Sequence, residues 1–307
     1  MPLDSRKVNL FIVGAAKCGT TSLHYYLSQH PDIFMCTVKE PNYFADVKSP
    51  FLSNYVRPKK GNSYNAKIIT DFSIYQSLFD DVKNEKYIGE SSPNYLWYEK
   101  SAERIFNYNS AAKIIILIGD PIERAYSHYL MYYYGGTESM TFTRKDLEPY
   151  TENTTKLGYL NPPYIEAGFY YKQIIRYTRL FKSEQIKIIQ KNKLLSDTKS
   201  VLQELSEFLQ ISTQAFNNVK IEKLNVRMIP KNKMVPSLAR FYNNFFLSKY
   251  LSNILSSDTK ALIKNYLFSK NRLTEQPDKD TLEWLKKIYA PDLLLLSEYF
   301  NVVFEEK

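Results

Sequence analysis

The chain has 307 residues, 44% of them hydrophobic and 24% charged, the balance of an ordinary globular protein rather than a disordered or fibrous one. Its net charge of +9 suits an anionic ligand, but the lysines are scattered with no basic block, which argues against nucleic acid as a partner. Cys18 and Cys36 are the only cysteines and fit a reducing compartment better than a disulfide scaffold or a zinc site, and no apolar run approaches the roughly 18 residues of a membrane span.

In chain order, Val8–Val13 reads as a short buried parallel strand ending at Gly14. A helix is expected over Thr20–Ser28, with Leu23, Tyr26 and Leu27 on one face and His30-Pro31 closing it. A short strand follows at Ile33–Cys36, then the charged pair Lys39-Glu40 ahead of Pro41. Asp71–Phe79 reads as helix, Lys86–Gly89 as a strand and Tyr98–Tyr108 as a helix. Lys113–Ile118 is the strongest strand signal, β-branched and apolar after its lysine. Pro121 then opens a helix, with Asp120 before it as N-cap and Ile122, Ala125, Tyr126, Tyr129 and Tyr133 on one face. Helix is expected over Tyr164–Phe181, strand over Gln185–Gln190 and helix after Ser196-Asp197. The remainder, 213–307, reads as mostly helical, closing with Leu282–Ile288 and Leu293–Phe300. Strands alternating with helices imply an α/β fold, a three-layer parallel sheet flanked by helices.

The chemistry concentrates in Gly14-Ala15-Ala16-Lys17-Cys18-Gly19-Thr20-Thr21-Ser22. A strand, a glycine-containing loop and a helix N-terminus together aim backbone N–H groups and a helix dipole at an anion. The glycine spacing is that of a nucleotide-binding P-loop, yet Thr20 stands where that loop has its lysine. The lysine lies inside the loop instead, at Lys17, where it reaches the distal end of the anion and can neutralise a leaving oxygen. The hydroxyls of Thr20, Thr21 and Ser22 suit a phosphate.

Four ordered segments carry a family resemblance. Gly14–Leu23 resembles the 5′-phosphosulfate loop of sulfotransferases that use 3′-phosphoadenosine 5′-phosphosulfate (PAPS). Lys39-Glu40-Pro41-Asn42-Tyr43-Phe44 and Gly89-Glu90-Ser91-Ser92-Pro93-Asn94-Tyr95-Leu96 are similar to segments of the heparan-sulfate-type and bacterial branch. Asp120-Pro121-Ile122-Glu123-Arg124-Ala125-Tyr126-Ser127-His128-Tyr129 is similar to its 3′-phosphate motif. The resemblance implies a P-loop-containing nucleotide hydrolase-like fold and PAPS as co-substrate, with no metal. It implies Lys17 on the bridging oxygen of the sulfuryl group and Glu40 as general base. Cys18, Gly19, Thr20, Thr21 and Ser22 would bind the 5′-phosphate and Ser127 the 3′-phosphate. The chain departs from the family at Gly119, where an arginine usually precedes Asp-Pro; Arg124, Lys270 and Arg272 are candidate substitutes. It departs again at Ser91, where heparan-sulfate enzymes tend to have lysine, which weakens the case for a highly acidic glycan.

The expectation is one sulfotransferase domain over 1–307, with acceptor-facing insertions at 45–80 and 135–165 and a helical part at 213–307. The acceptor is a small molecule or glycan, with no nucleic acid and no membrane span, and the place of action is cytoplasmic. Two alternatives compete. One is a P-loop kinase using Ile114–Asp120 as its acid-ended strand, and the other is a nucleotide-binding scaffold whose site has decayed at Gly119.

Overall fold

A computed structural model describes residues 7–45, 69–134, 140–150, 163–221, 229–230, 268–269 and 277–304. Strands β1 (Leu10–Gly14), β2 (Ile33–Met35), β3 (Tyr87–Ser91), β4 (Lys113–Ile118) and β5 (Ile186–Gln190) form a parallel sheet in the order β2-β3-β1-β4-β5. Leu10 to Val13 and Ile114 to Ile118 are all fully buried, as continuous apolar runs are when both faces of a sheet are covered. Each such side chain adds roughly 1.5–3 kcal/mol of transfer free energy. From β1 the chain crosses to β2 and β3 on one side, then passes to β4 and β5 on the other. The order therefore reverses at β1, and in open parallel sheets ligands bind outside the carboxyl ends of the strands at such a reversal.

Several helices follow their sequence signals closely. Helix α1 (Thr20–Leu27) buries Leu23, Tyr26 and Leu27. Helix α2 (Phe72–Ser77) is capped by Asp71, whose side chain accepts from the Ile74 N–H at 3.0 Å. Helix α3 starts three residues later than expected, at Ser101, and ends at Tyr108. Helix α4 (Pro121–Tyr134) starts at the anticipated proline. Helix α5 (Arg144–Leu147) is a single turn.

The expected helix over Tyr164–Phe181 is two pieces, a 3-10 turn Glu166–Gly168 and helix α6 (Tyr170–Thr178). Phe169 between them has φ −81° and ψ 79°, outside the helical region, and Gly168 packs so closely on the Tyr289 ring that a Cβ there would lie 2.7 Å from its hydroxyl. Helices α7 (Lys191–Ser196) and α8 (Thr198–Leu209) follow β5. Ile229–Pro230 and Phe268–Ser269 pair as a short antiparallel ladder, β6 and β7. Helix α9 (Lys279–Phe300) runs unbroken through Pro291, where the sequence suggested two helices. Leu285 and Tyr289 ahead of the proline and Leu296 beyond it are fully buried, and that packing offsets a proline penalty of about 3 kcal/mol.

The chain divides into two compact units. One comprises Met1–Pro121, Phe169–Leu224 and Ala290–Lys307, and the other Ile122–Gly168 and Asn225–Tyr289. The five-stranded sheet belongs to the first. In the second, the Tyr289 hydroxyl donates to the Ile165 carbonyl at 2.8 Å and the Arg144 N–H donates to the Thr281 hydroxyl at 2.8 Å. Most of the expected insertions at 45–80 and 135–165, together with Lys270 and Arg272, lie outside the described residues.

Candidate active site

The anion loop joins β1 to α1 in the first unit. The Ala15 N–H donates to the Leu117 carbonyl of β4 at 2.5 Å, and the Cys18 N–H closes back on the Ala15 carbonyl at 3.1 Å. Gly19 takes φ 93° as the N-cap of α1, a left-handed conformation that glycine adopts without steric cost. No side chain caps this helix at Gly19, and the orphan N–H groups of a helix's first turn carry its positive dipole end. Thr20 and Ser22 are buried, while Thr21 and Lys17 are half-buried.

Lys17 has φ 70° and Glu40 has φ 60°. Neither residue type visits the left-handed region readily, and each such placement costs on the order of 1–3 kcal/mol. The two residues expected to carry chemistry are therefore among the few described residues held in unfavourable backbone. What holds Glu40 is visible. Its N–H donates to the Ser91 carbonyl at 3.1 Å, and its carbonyl accepts from the Asn42 amide at 2.8 Å.

Lys39 connects the base candidate to the loop. Its ammonium donates to the Thr21 hydroxyl in the first turn of α1 and pairs with Glu40 Oε1 at 3.2 Å. With 14% of its side chain exposed, this pair is better shielded than a surface salt bridge. The sequence shows Lys39 and Glu40 only as an adjacent charged pair. The structure adds the contact to Thr21, which no spacing pattern signals. His24, one turn further along α1, is lowered to about 4 by burial, with the Lys39 charge adding to the effect, so its imidazole is neutral near pH 7.

Behind the base lies a buried carboxylate. Glu90 on β3 is fully buried. It accepts from the hydroxyls of Tyr75 and Tyr95 on Oε1, each at 2.9 Å, and of Ser92 on Oε2 at 2.7 Å. Burial raises its carboxyl to about 7, against the opposing pull of those three donors. Two of these hydroxyls also accept backbone N–H groups of the segment carrying Glu40. Asn42 donates to Ser92 Oγ at 3.1 Å and Phe44 to the Tyr95 hydroxyl at 3.2 Å. The sequence signal for this strand ends at Gly89, whereas β3 runs through Glu90 to Ser91, and a charge buried there needs partners.

The strand ends complete the picture within this unit. Cys18 is fully buried with Sγ 3.8 Å from the Tyr170 hydroxyl, which donates to the Gly119 carbonyl at 2.9 Å. The 3′-phosphate candidates stand in the second unit. Ser127 is half-buried on α4. Arg124, one turn earlier, is 1% exposed; its guanidinium donates to the Tyr164 carbonyl and to His128 Nδ1 at 3.3 Å. Its charge is thus engaged inside that unit, and nearby Glu166 is raised by burial, with Arg124 pulling the other way.

Among the described residues no helix is long and apolar enough to cross a membrane. Residues 7–237 match the sulfotransferase domain family. Membrane-associated sulfotransferase kil1 of Dictyostelium discoideum is 35% identical over 121 residues, which is 39% of this chain and 22% of that protein. Bifunctional heparan sulfate N-deacetylase/N-sulfotransferase 4 of Mus musculus is 28% identical over 211 residues, 66% of this chain and 22% of that protein. The chain thus spans about a fifth of the length of these two curated relatives. A sulfotransferase from Alicyclobacillus acidocaldarius superposes with a TM-score of 0.67 at 28% identity, covering 97% of this chain and 98% of that one.

Proposed function

The chain belongs to the sulfotransferase family, and from that we propose that it moves the sulfuryl group of PAPS onto a hydroxyl or amine of an acceptor. Glu40 takes the acceptor proton as the new bond to sulfur forms. The bond from sulfur to the bridging oxygen of PAPS breaks in line, and Lys17 neutralises the charge that develops on that oxygen. Adenosine 3′,5′-bisphosphate leaves. Positioning of a nucleophile opposite a leaving group, proton removal and charge neutralisation are the three elements such a transfer needs.

The observation that carries this reading is the Lys39 bridge. One ammonium contacts both Thr21 of the anion loop and the Glu40 carboxylate, which keeps the base within reach of whatever anion the loop holds. Gly19, Thr20, Thr21 and Ser22, with Cys18, are assigned to the 5′-phosphate. Ser127, with Arg124 behind it on α4, is assigned to the 3′-phosphate. The heparan sulfate named for the Mus musculus relative favours a sugar hydroxyl or amino group as the acceptor, with 45–80 and 135–165 as the segments that select it.

The test is a screen with sulfur-labelled PAPS against amino sugars, neutral glycans and small hydroxyl compounds, in the presence of a metal chelator. Label in at least one acceptor, together with stoichiometric adenosine 3′,5′-bisphosphate, is expected. Failure of the wild-type chain to bind adenosine 3′,5′-bisphosphate at millimolar concentration refutes the proposal.

A further inference from the structure

Strands β4 and β5 end in register, Ile118 opposite Gln190, so Gly119 and Lys191 are the first residues beyond two adjacent parallel strands. They share the carboxyl edge of the sheet with the anion loop. A Cβ placed on Gly119 would lie 3.1 Å from Lys191 Cδ, 3.2 Å from Lys191 Cβ and 3.5 Å from Cys18 Sγ. The lysine stem therefore runs across the face of Gly119, in space that a side chain at 119 would need, and Cys18 of the loop borders the same space. The Tyr170 hydroxyl, fully buried, fixes the floor of this spot through the Gly119 carbonyl and Cys18 Sγ. Lys191 itself is half-buried, with its ammonium carried two bonds beyond Cδ.

Resting on the sulfotransferase reading above, we propose that Lys191 supplies the cation for the 3′-phosphate of the bound nucleotide, in the place left open by the absence of a side chain at Gly119. Three observations converge on it. The residue is basic, it stands at the edge of a parallel sheet where ligands bind, and its stem is packed against the residue that leads into the Asp120-Pro121 helix start. A lysine acts on phosphate as a point charge, so it serves without the planar fork of an arginine. The competing role is purely structural, an aliphatic stem covering Gly119.

Calorimetric titration with adenosine 3′,5′-bisphosphate and with adenosine 5′-monophosphate separates these. Lys191→Met keeps the apolar stem and removes the charge. It should weaken the bisphosphate roughly 10-fold to 100-fold, the range for losing a charged hydrogen bond, and leave the monophosphate within about twofold. Lys191→Arg should retain most of the affinity. The exchange variant Gly119→Arg with Lys191→Ala should recover affinity that Lys191→Ala alone loses, which also keeps the idea testable should Lys191→Met fold poorly. Unchanged bisphosphate affinity in Lys191→Met, or equal weakening of both nucleotides, overturns the proposal. Binding of neither nucleotide by the wild-type chain would instead overturn the sulfotransferase reading beneath it.

Discussion

Replacing Glu90 by glutamine should change how stability depends on pH, in a calculable direction. Burial lifts this carboxyl from 4.5 to about 7. Between those values the native state holds a proton that the unfolded chain has released. The contribution of Glu90 to stability is then fully present below about pH 4.5 and is lost as pH rises through about 7. At about 1.4 kcal/mol per pH unit, the span amounts to roughly 3 kcal/mol. Asp292, raised to about 6 mainly by burial, acts in the same direction, so the wild-type slope alone does not isolate Glu90. The difference between wild type and Glu90→Gln does. Urea unfolding at about pH 4 and about pH 9 should show that difference moving by roughly 3 kcal/mol in favour of the variant as pH rises. Parallel profiles for the two proteins would refute the reasoning. The effect bears on function because the Ser92 and Tyr95 hydroxyls that face Glu90 also hold the N–H groups of Asn42 and Phe44, in the segment that carries Glu40.

Two further predictions concern the loop and the scaffold. Lys39→Met removes the ammonium joining Thr21 to Glu40, and steady-state kinetics should show kcat/KM for PAPS falling roughly 10-fold to 100-fold, with Lys39→Arg intermediate; an unchanged value would separate Lys39 from the site. Asp197→Ala deletes the cap that accepts the Ser200 N–H at 3.0 Å and should cost about 1 kcal/mol in urea unfolding with turnover preserved.

Local signals were legible where they carried the structure. The β-branched run Lys113–Ile118 became β4 with the expected bounds, and Pro121 opened its helix. The loop between β1 and α1 was readable because glycine at 19 answers a backbone demand at one position, φ 93°. The misses share a different cause. Nothing local shows that packing would carry α9 through Pro291, or that Phe169 would leave the helical region beside a glycine pressed on Tyr289. The partners of Lys39 on Thr21, of Glu90 on Tyr75, and of Lys191 across Gly119 are each separated from them in sequence and joined only by the order of the strands. The candidate residues could be named one at a time from the sequence, while the contacts that join Lys39 to Thr21 and Glu90 to Tyr75 required the fold.

The central claim is that Lys17 and Glu40 perform the transfer, and it is tested most directly by single-turnover transfer of sulfur label from PAPS in the wild type, Lys17→Ala and Glu40→Gln. Loss of roughly 100-fold to 1,000-fold for Lys17→Ala and roughly 100-fold to 10,000-fold for Glu40→Gln, with adenosine 3′,5′-bisphosphate still bound by the glutamine variant, is the expected result. Wild-type rates in either variant would contradict it.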